Sequence, residues 1–495
     1  MLVLIENGII ITMDPQRQIF GENEDETGIL IEDNKIIEIG NSQEIRKDFK
    51  PSKIIDARNK VVMPGMIDCH GHPLGLIRTL GDSQGGVINK TGWRHMCYHI
   101  WNQLADEEYY KAEGLLTCIE RIKFGTTCGV TQFNRADDII FASKNIEAVN
   151  ESGIRGIVAA GPIIDNNFLS PEEITFIRWN NGKHYCDNVG WQEQLKNCEK
   201  IINKYDRSAN GKIRTFLGPI YLTQYSENVK ELKEHAQESR RIADEYGVGI
   251  HTHQSGGEVN FIHKKLGSNI LGPDVSIAHG TGFTDEEIEI LKKTDTKVVH
   301  CPSARMIFLK GNFRTVEMLD LGITIGLGTD ASANDKNYDL FKEMKQAIFL
   351  QRMRFNSQYY MSPGKALEMA TIDAAKTIGL ESEIGSIEKG KKADIILIDL
   401  EKPHLVPAYN IVSHVVYNAT GSDVDTVIVD GEVIMENRNL VKVNEEDIIH
   451  QAKKQAEKIF VRGDLSRYLK SPIDYWGQTK WTPVPVKPKN LLDKN

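Results

Sequence analysis

Pro64-Gly65-Met66-Ile67-Asp68-Cys69-His70-Gly71-His72 decides how the rest of the chain is read. Its first half belongs to a run from Lys60 to Cys69 that reads as one buried strand, apolar without regular alternation. The run ends in two histidines with one residue between them. Positions i and i+2 of an extended chain point to the same face. Both imidazoles can therefore reach one point, which is what a chelated metal needs. A chain with 14 histidines produces such a pair by chance, so its weight depends on what the other strands carry.

Working outward, the apolar run and a following helical pattern recur. Strands are expected at 61–69, 126–133, 154–161, 213–220, 248–254, 276–279, 297–301 and 323–329. Helical periodicity fills the gaps at 107–123, 138–152, 190–205, 227–246, 284–293, 313–321 and 338–355. This order predicts an α/β fold, a closed (β/α)8 TIM barrel of parallel strands. A further helix over 362–378 opens with Ser362-Pro363, a start signal.

The two ends of the chain have β character. Short strands are expected at 2–5, 8–13, 28–32 and 35–39, with turns at Asn7-Gly8 and Asp33-Asn34. Beyond the barrel, Gly385 to Asp394 is rich in turn residues and leads into a strand at 395–399. Residues 426–429 and 432–435 form a hairpin around Asp430-Gly431. Neither end holds enough strands for a core of its own. Both are therefore expected to build one small β-sandwich beside the barrel. The expected organisation is 1–61 and 379–442 as its two parts, 62–378 as the barrel, and 443–495 as a charged amphipathic helix with an extended tail. That tail carries Trp476, Trp481 and four prolines.

Composition excludes several classes. The 495 residues are 40% hydrophobic and 26% charged, with net charge −9, as in an ordinary soluble globular protein. No segment concentrates Lys and Arg on one face, which argues against nucleic acid. No apolar run approaches the roughly 20 residues of a membrane span. The start, Met1 to Asn7, lacks a basic n-region and reads as a strand. The seven cysteines make no CxxC pair and read as buried reduced thiols in a cytoplasmic protein.

In such a barrel the chemistry sits at the C-terminal ends of the strands. Strand 1 ends in His70 and His72, and strand 5 in His251-Thr252-His253-Gln254. Strand 6 ends in Ala278-His279-Gly280, strand 7 in His300-Cys301-Pro302, and strand 8 in Gly328-Thr329-Asp330. A single histidine at a strand end is usually a hydrogen-bonded core residue, but agreement among five ends is hard to reconcile with that. The ends near Gln132 and Pro162 offer nothing that binds a metal well.

These motifs together resemble the amidohydrolase superfamily, and within it the branch of mononuclear hydrolases and deaminases acting on adenosine derivatives, guanine and chlorinated triazines. The resemblance spans residues 1–445. It implies that His70, His72, His253 and Asp330 hold one divalent metal, zinc or iron, with a position open for water. It implies that Asp330 also accepts the water's proton and that His279 orients the attacked carbon. His251 reads as a support to the ligands. His300 reads either as a substrate contact or as a packed core histidine.

The chain departs from the pattern in two places. Deaminases of this branch carry Glu three residues after the strand-5 ligand, where this chain has Gly256. Glu258 follows two glycines later and is the candidate to replace it, the alternative being an early helix residue facing the helix dipole. Arg305 stands where the pattern often has Asn and could bind a carboxylate or carbonyl oxygen. Trp93, in the long segment after strand 1, is a candidate to stack on a planar substrate. The departures argue for a substrate other than a standard adenosine derivative. The resemblance then implies a metal-dependent hydrolase of a small nitrogen heterocycle, a deaminase releasing ammonia, with ring opening or amine release as the alternative. A non-enzymatic binding protein would have little reason to keep the full ligand set. Relatives are commonly homo-oligomers, so a dimer or tetramer is expected.

Overall fold

Eight parallel strands close into a ring in the computed structural model, which describes residues 1–22, 26–78, 97–133, 135–162, 176–180, 183–187, 189–223, 228–308, 312–332 and 337–465. The strands are β1 (Met66–His72), β2 (Thr126–Phe133), β3 (Arg155–Ala160), β4 (Ile213–Leu217), β5 (Ile250–Ser255), β6 (Val275–Thr281), β7 (Lys297–His300) and β8. The last comes in two pieces, Ile325–Leu327 and Asp330–Ala331. Each strand pairs in parallel with the next. The first piece of β8 bonds β7. The second bonds β1, with Asp330 opposite Gly71 and Ala331 opposite His72.

Ile67, Cys128, Ile157, Phe216 and Val299 come from five different strands and share one buried cluster. Side chains spread around a closed ring meet only inside it. The helices after the strands are α1 (Glu107–Lys123), α2 (Ile139–Ser152), α3 (Trp191–Tyr205), α4 (Val229–Tyr246), α5 (Asp285–Thr294), α6 (Thr315–Asp320) and α7 (Leu340–Phe355). Local chemistry sets their ends. Asp106 caps α1 by accepting from Tyr109 N, and Thr284 forms a capping box with Glu287 at the start of α5. No helix among the described residues is long and apolar enough to cross a membrane.

The sequence reading needs correction at several points. The run from Lys60 to Cys69 is two strands. Lys60–Pro64 lies in a separate sheet, between Ile395–Asp399 and Ile9–Ile11, and β1 begins at Met66. Both pieces are buried, so hydrophobicity does not mark the change of sheet. The helix expected over 362–378 breaks at Thr371 into Pro363–Ala370 and Ile372–Thr377. The Thr371 hydroxyl donates to Leu367 O, a local bond that competes with helical continuity. The hairpin Phe176–Asn180 with Lys183–Asp187, and the helices Ser42–Phe49 and Ile411–Asn418, were not expected. The C-terminal helix runs from Glu445 to Arg462, and the tail with Trp476 and Trp481 lies outside the described residues.

Two further sheets face each other. One holds Leu2–Glu6, Thr27–Glu32, Lys35–Asn41 and Lys53–Asp56. The other joins Ile9–Ile11, Ile19–Phe20 and Lys60–Pro64 to Ile395–Asp399, Val424–Val429, Glu432–Glu436 and Asn439–Leu440. Val3, Ile29 and Ile31 of the first meet Val62, Leu397 and Ile428 of the second in one core, so both chain ends build a β-sandwich. Because Lys60–Pro64 runs directly into β1, this sandwich sits at the end of the barrel opposite the strand C-termini.

One buried cation ties the two parts. Arg155, the first residue of β3, donates from Nε and Nη2 to the Asp394 carboxylate at 2.9 and 3.0 Å. Its Nη2 also reaches Asp430 Oδ1 at 3.2 Å. Removing one partner of a buried pair strands the other charge. Arg155→Met should therefore lower unfolding free energy by roughly 3–5 kcal/mol, read as a shifted denaturant midpoint. Arg155→Lys keeps the charge but loses the fork, and should fall between the variant and the parent.

Candidate active site and metal centre

The C-terminal ends of β1, β5, β6 and β8 bring His70, His72, His253, His279 and Asp330 together. His70 Nε2 lies 3.5 Å and His72 Nε2 3.7 Å from Asp330 Oδ1. His72 Nε2 lies 3.2 Å from His253 Nε2. Two ring nitrogens on one tetrahedral metal are about 3.3 Å apart at ordinary bond lengths. The ligand-capable atoms of His70, His72 and His253 lie within 4.8 Å of one another, as do those of His70, His279 and Asp330.

The outer nitrogens explain why the inner ones converge. His70 Nδ1 is 2.8 Å from His251 Nε2, His72 Nδ1 is 3.2 Å from Gln132 O, and His253 Nδ1 is 3.0 Å from Ile220 O. A carbonyl accepts only, so His72 and His253 carry their protons on Nδ1 and present Nε2 as a lone pair. His70 Nε2 is buried with no hydrogen-bond partner among the described residues. If it too keeps a lone pair, His70 Nδ1–H donates to His251. His251 Nδ1–H then donates to Ser276 Oγ, 2.7 Å away. Such a donor set, three neutral imidazoles and a carboxylate, fits a divalent metal.

Electrostatics favour the neutral rings. Burial, reinforced by the other imidazoles and by Arg121, holds His70 well below the usual histidine range. Burial and the neighbouring histidines do the same to His251. His72 is lowered by burial, against the opposing pull of Asp330. The backbone is unusual at two of the five residues: His279 has φ 74° and Asp330 φ 57°, left-handed values that non-glycine residues adopt at a cost.

The other sequence candidates fall as follows. Gly256 donates its N–H to Thr281 O at 2.8 Å, and a Cβ there would lie 2.0 Å from Gly282 O. No side chain fits at that position without moving the backbone. Glu258 begins the short helix Glu258–Phe261 after Gly257, and its carboxylate accepts from Ser255 N. The turn is fastened by the buried Glu287 carboxylate, which accepts from Gly257 N and Val259 N at 3.0 Å each. His300 is fully buried and stacks on Phe313 with ring centroids 3.9 Å apart. Both its nitrogens lack a hydrogen-bond partner among the described residues, and burial takes its pKa down to about 3. Arg305 is buried in the last turn of the helix Pro302–Phe308, where burial brings its pKa down to about 10. Trp93 lies outside the described residues.

Sequence reasoning missed several members. Gln132 and Ile220 act through backbone carbonyls, which leave no residue signature. The Gln132 side chain also donates to Gly218 O at 3.0 Å, holding the end of β4. Ser276, within β6, carries no signal in the sequence that sets it apart from other strand residues. Tyr221 follows β4, and its ring centroid lies 5.4 Å from that of His253.

A closed (β/α)8 barrel with this donor set at its strand ends defines a metal-dependent hydrolase of the amidohydrolase type. The chain belongs to the amidohydrolase family, whose pattern matches residues 61–434. It is 33% identical to the 5'-deoxyadenosine deaminase of Methanosarcina acetivorans over 93% of this chain and 99% of that protein. It is 32% identical to the 5-methylthioadenosine/S-adenosylhomocysteine deaminase of Thermoanaerobacter pseudethanolicus, over 93% of this chain and all of that protein. Among solved structures, a zinc-bound adenosine deaminase from Xanthomonas campestris superposes with TM-score 0.77 at 20% identity, over 93% and 98% of the two chains. Atrazine chlorohydrolase from Arthrobacter aurescens, complexed with zinc, gives 0.77 at 21% identity, over 92% and 100%. These two likenesses concern the fold.

His251 offers a direct check on the donor geometry. His251→Phe keeps an aromatic ring but leaves His70 Nδ1 without an acceptor. Metal affinity should fall by roughly 10- to 100-fold, measured by competition with a chromogenic chelator, while the circular dichroism spectrum stays that of the parent.

Proposed function

We propose that this chain is a metal-dependent aminohydrolase that removes ammonia from an amino-substituted nitrogen heterocycle, with aminopurine nucleosides as the first class to test. One observation carries the reading: His70, His72 and His253 each have Nδ1 held by a neighbouring hydrogen-bonding group, leaving three Nε2 atoms turned towards one another beside Asp330. The named activities of the two deaminase relatives, aligned over nearly the whole chain, support it and favour an adenosine derivative over the different heterocycle expected from Gly256 and Arg305.

His70, His72, His253 and Asp330 would hold the metal, zinc in the first instance with iron as the alternative. Bound there, the metal supplies a Lewis acid that makes water nucleophilic near neutral pH. Asp330, on a backbone held away from its neighbours' conformation, takes the proton released as water attacks the ring carbon. His279, whose ring lies 5.3 Å from that of His70 and 5.1 Å from that of His253, orients the attacked carbon. Tyr221 stands beside His253 and offers a face for a planar ring.

Ring nitrogen protonation needs a donor, and position 256 cannot supply one. We assign that role to Glu258, the next carboxylate in the chain, held close to the strand end through Ser255 N. The protons then balance: Glu258 gives its proton to the ring nitrogen as OH adds to the carbon, Asp330 passes the water's proton to the amine, which leaves as ammonia, and the added hydroxyl returns its proton to Glu258 as the ring carbonyl forms.

The test is ammonia release from adenosine, 5'-deoxyadenosine and other aminopurines, alongside aminopyrimidines, aminotriazines and cyclic ureas. A chelator should abolish the rate and added zinc should restore it. Glu258→Gln should lower kcat by roughly 100- to 10,000-fold on whichever substrate is turned over, and an unchanged rate removes Glu258 from the reaction. A substrate consumed without ammonia would replace deamination by ring opening or amine release.

A further inference from the structure

Arg121 projects from α1 to the edge of β1 and is almost fully buried. Its Nε donates to Asp68 Oδ2 at 2.9 Å, Nη1 to Thr131 Oγ1 at 3.1 Å and Nη2 to Val130 O at 3.1 Å. Its guanidinium carbon lies 5.2 Å from the centre of the Tyr338 ring. Asp68, also fully buried, accepts in addition from Thr329 N at 2.9 Å and Thr329 Oγ1 at 2.8 Å. The Tyr338 hydroxyl donates to His72 O at 2.6 Å.

These bonds end next to three of the four groups placed around the metal. Asp68 precedes His70 by two residues, and its Oδ1 lies 3.4 Å from His70 N. Thr329 immediately precedes Asp330, and Tyr338 is bonded to His72 itself. The guanidinium also dictates sequence. A Cβ on Gly71, between the two histidines, would lie 2.3 Å from Arg121 Nη2. A Cβ on Gly129, in β2, would lie 2.7 Å from Nη1. Two side chains are absent where this one cation sits.

Stability is a weak reason to bury such a pair, because apolar replacement of both partners is often neutral. Its bonds instead fix the register of β1 against the second piece of β8. We propose that Arg121 is a positioning residue: through Asp68, Thr329 and Tyr338 it sets the spacing of His70, His72 and Asp330, and this is why glycine separates the two histidines. The inference rests on the metal reading above.

The experiment loads purified full-length protein with zinc and follows zinc release to a chromogenic chelator, with thermal unfolding in parallel. The double substitution Arg121→Met with Asp68→Asn removes both charges without stranding either. It should fold with a melting midpoint near that of the parent, yet release zinc roughly 10- to 100-fold faster. On an established substrate, kcat should fall while KM changes little. Gly71→Ala should speed release comparably in the parent and add little in the double variant, because the group it collides with is gone.

A folded double variant that keeps zinc as firmly as the parent overturns the proposal. So does a Gly71→Ala effect of equal size in both backgrounds. Should the double variant not fold, Gly71→Ala alone decides, and unchanged release overturns it. A parent that takes up neither zinc nor iron overturns the metal reading and this inference with it, whereas a metal-holding parent with unaffected variants overturns this inference alone.

Discussion

Closing a ring of eight strands requires the last to bond both the seventh and the first. Here β8 does so with two segments, turning between them at Gly328-Thr329. The first segment continues the regular sheet. The second is only Asp330–Ala331, and Asp330 enters it with φ 57°. Closure and assembly of the site are therefore one event. The pairing of Asp330 with Gly71 places a carboxylate beside the histidines that flank Gly71, and Asp68 fastens the turn through Thr329 N and Oγ1. A barrel left open at this seam would retain most of its apolar core but lose the carboxylate from the donor set.

The same economy appears in the imidazoles. Each has one nitrogen tied by a neighbour and the other turned inward, so the protein fixes ring orientation with few bonds. Two of the three acceptors are main-chain carbonyls at the ends of neighbouring strands. Ile220 O, three residues past β4, also accepts from His253 N at 2.9 Å, so one carbonyl holds both the backbone and the ring of His253. The site draws on groups that the fold supplies wherever a strand stops. His70 alone uses a side chain, His251, whose own partner Ser276 lies in the adjacent strand.

That distinction explains what was legible in the sequence. β2 and α1 match their expected limits because long apolar or periodic runs report burial directly. His70, His72, His253, His279 and Asp330 were visible because metal chemistry admits few residue types. Gln132 O and Ile220 O were not, since a carbonyl belongs to every residue. The boundary at Gly65 was hidden because Lys60–Pro64 and β1 are both buried, so one apolar run serves two sheets. The break at Thr371 was hidden because the residues on either side of it are sound helix formers, and a single hydroxyl bond to Leu367 O interrupts them. The partners of Arg121 were out of reach for another reason: residues 68, 130, 131 and 338 are brought together only by the closed ring.

The strand-5 turn is the place where sequence and structure inform each other most. In the sequence, Gly256 looked like the loss of a carboxylate followed by a flexible pair of glycines. The structure gives the turn a different physical character. Gly256 packs its Cα against the backbone of the β6 turn, Gly257 adopts φ 91°, and Glu287 caps the helix that follows with two backbone bonds. Glycine at 256 is therefore a packing requirement, and the turn is fastened on both sides. A fastened turn also limits what Glu258 can do: its carboxylate is anchored at Ser255 N, two residues beyond His253, and does not depend on a swinging loop to stay near the strand end. The close approach of the β5 and β6 turns leaves no room for a side chain at 256, and the next carboxylate, Glu258, lies two residues further along a turn held by backbone packing between neighbouring strands.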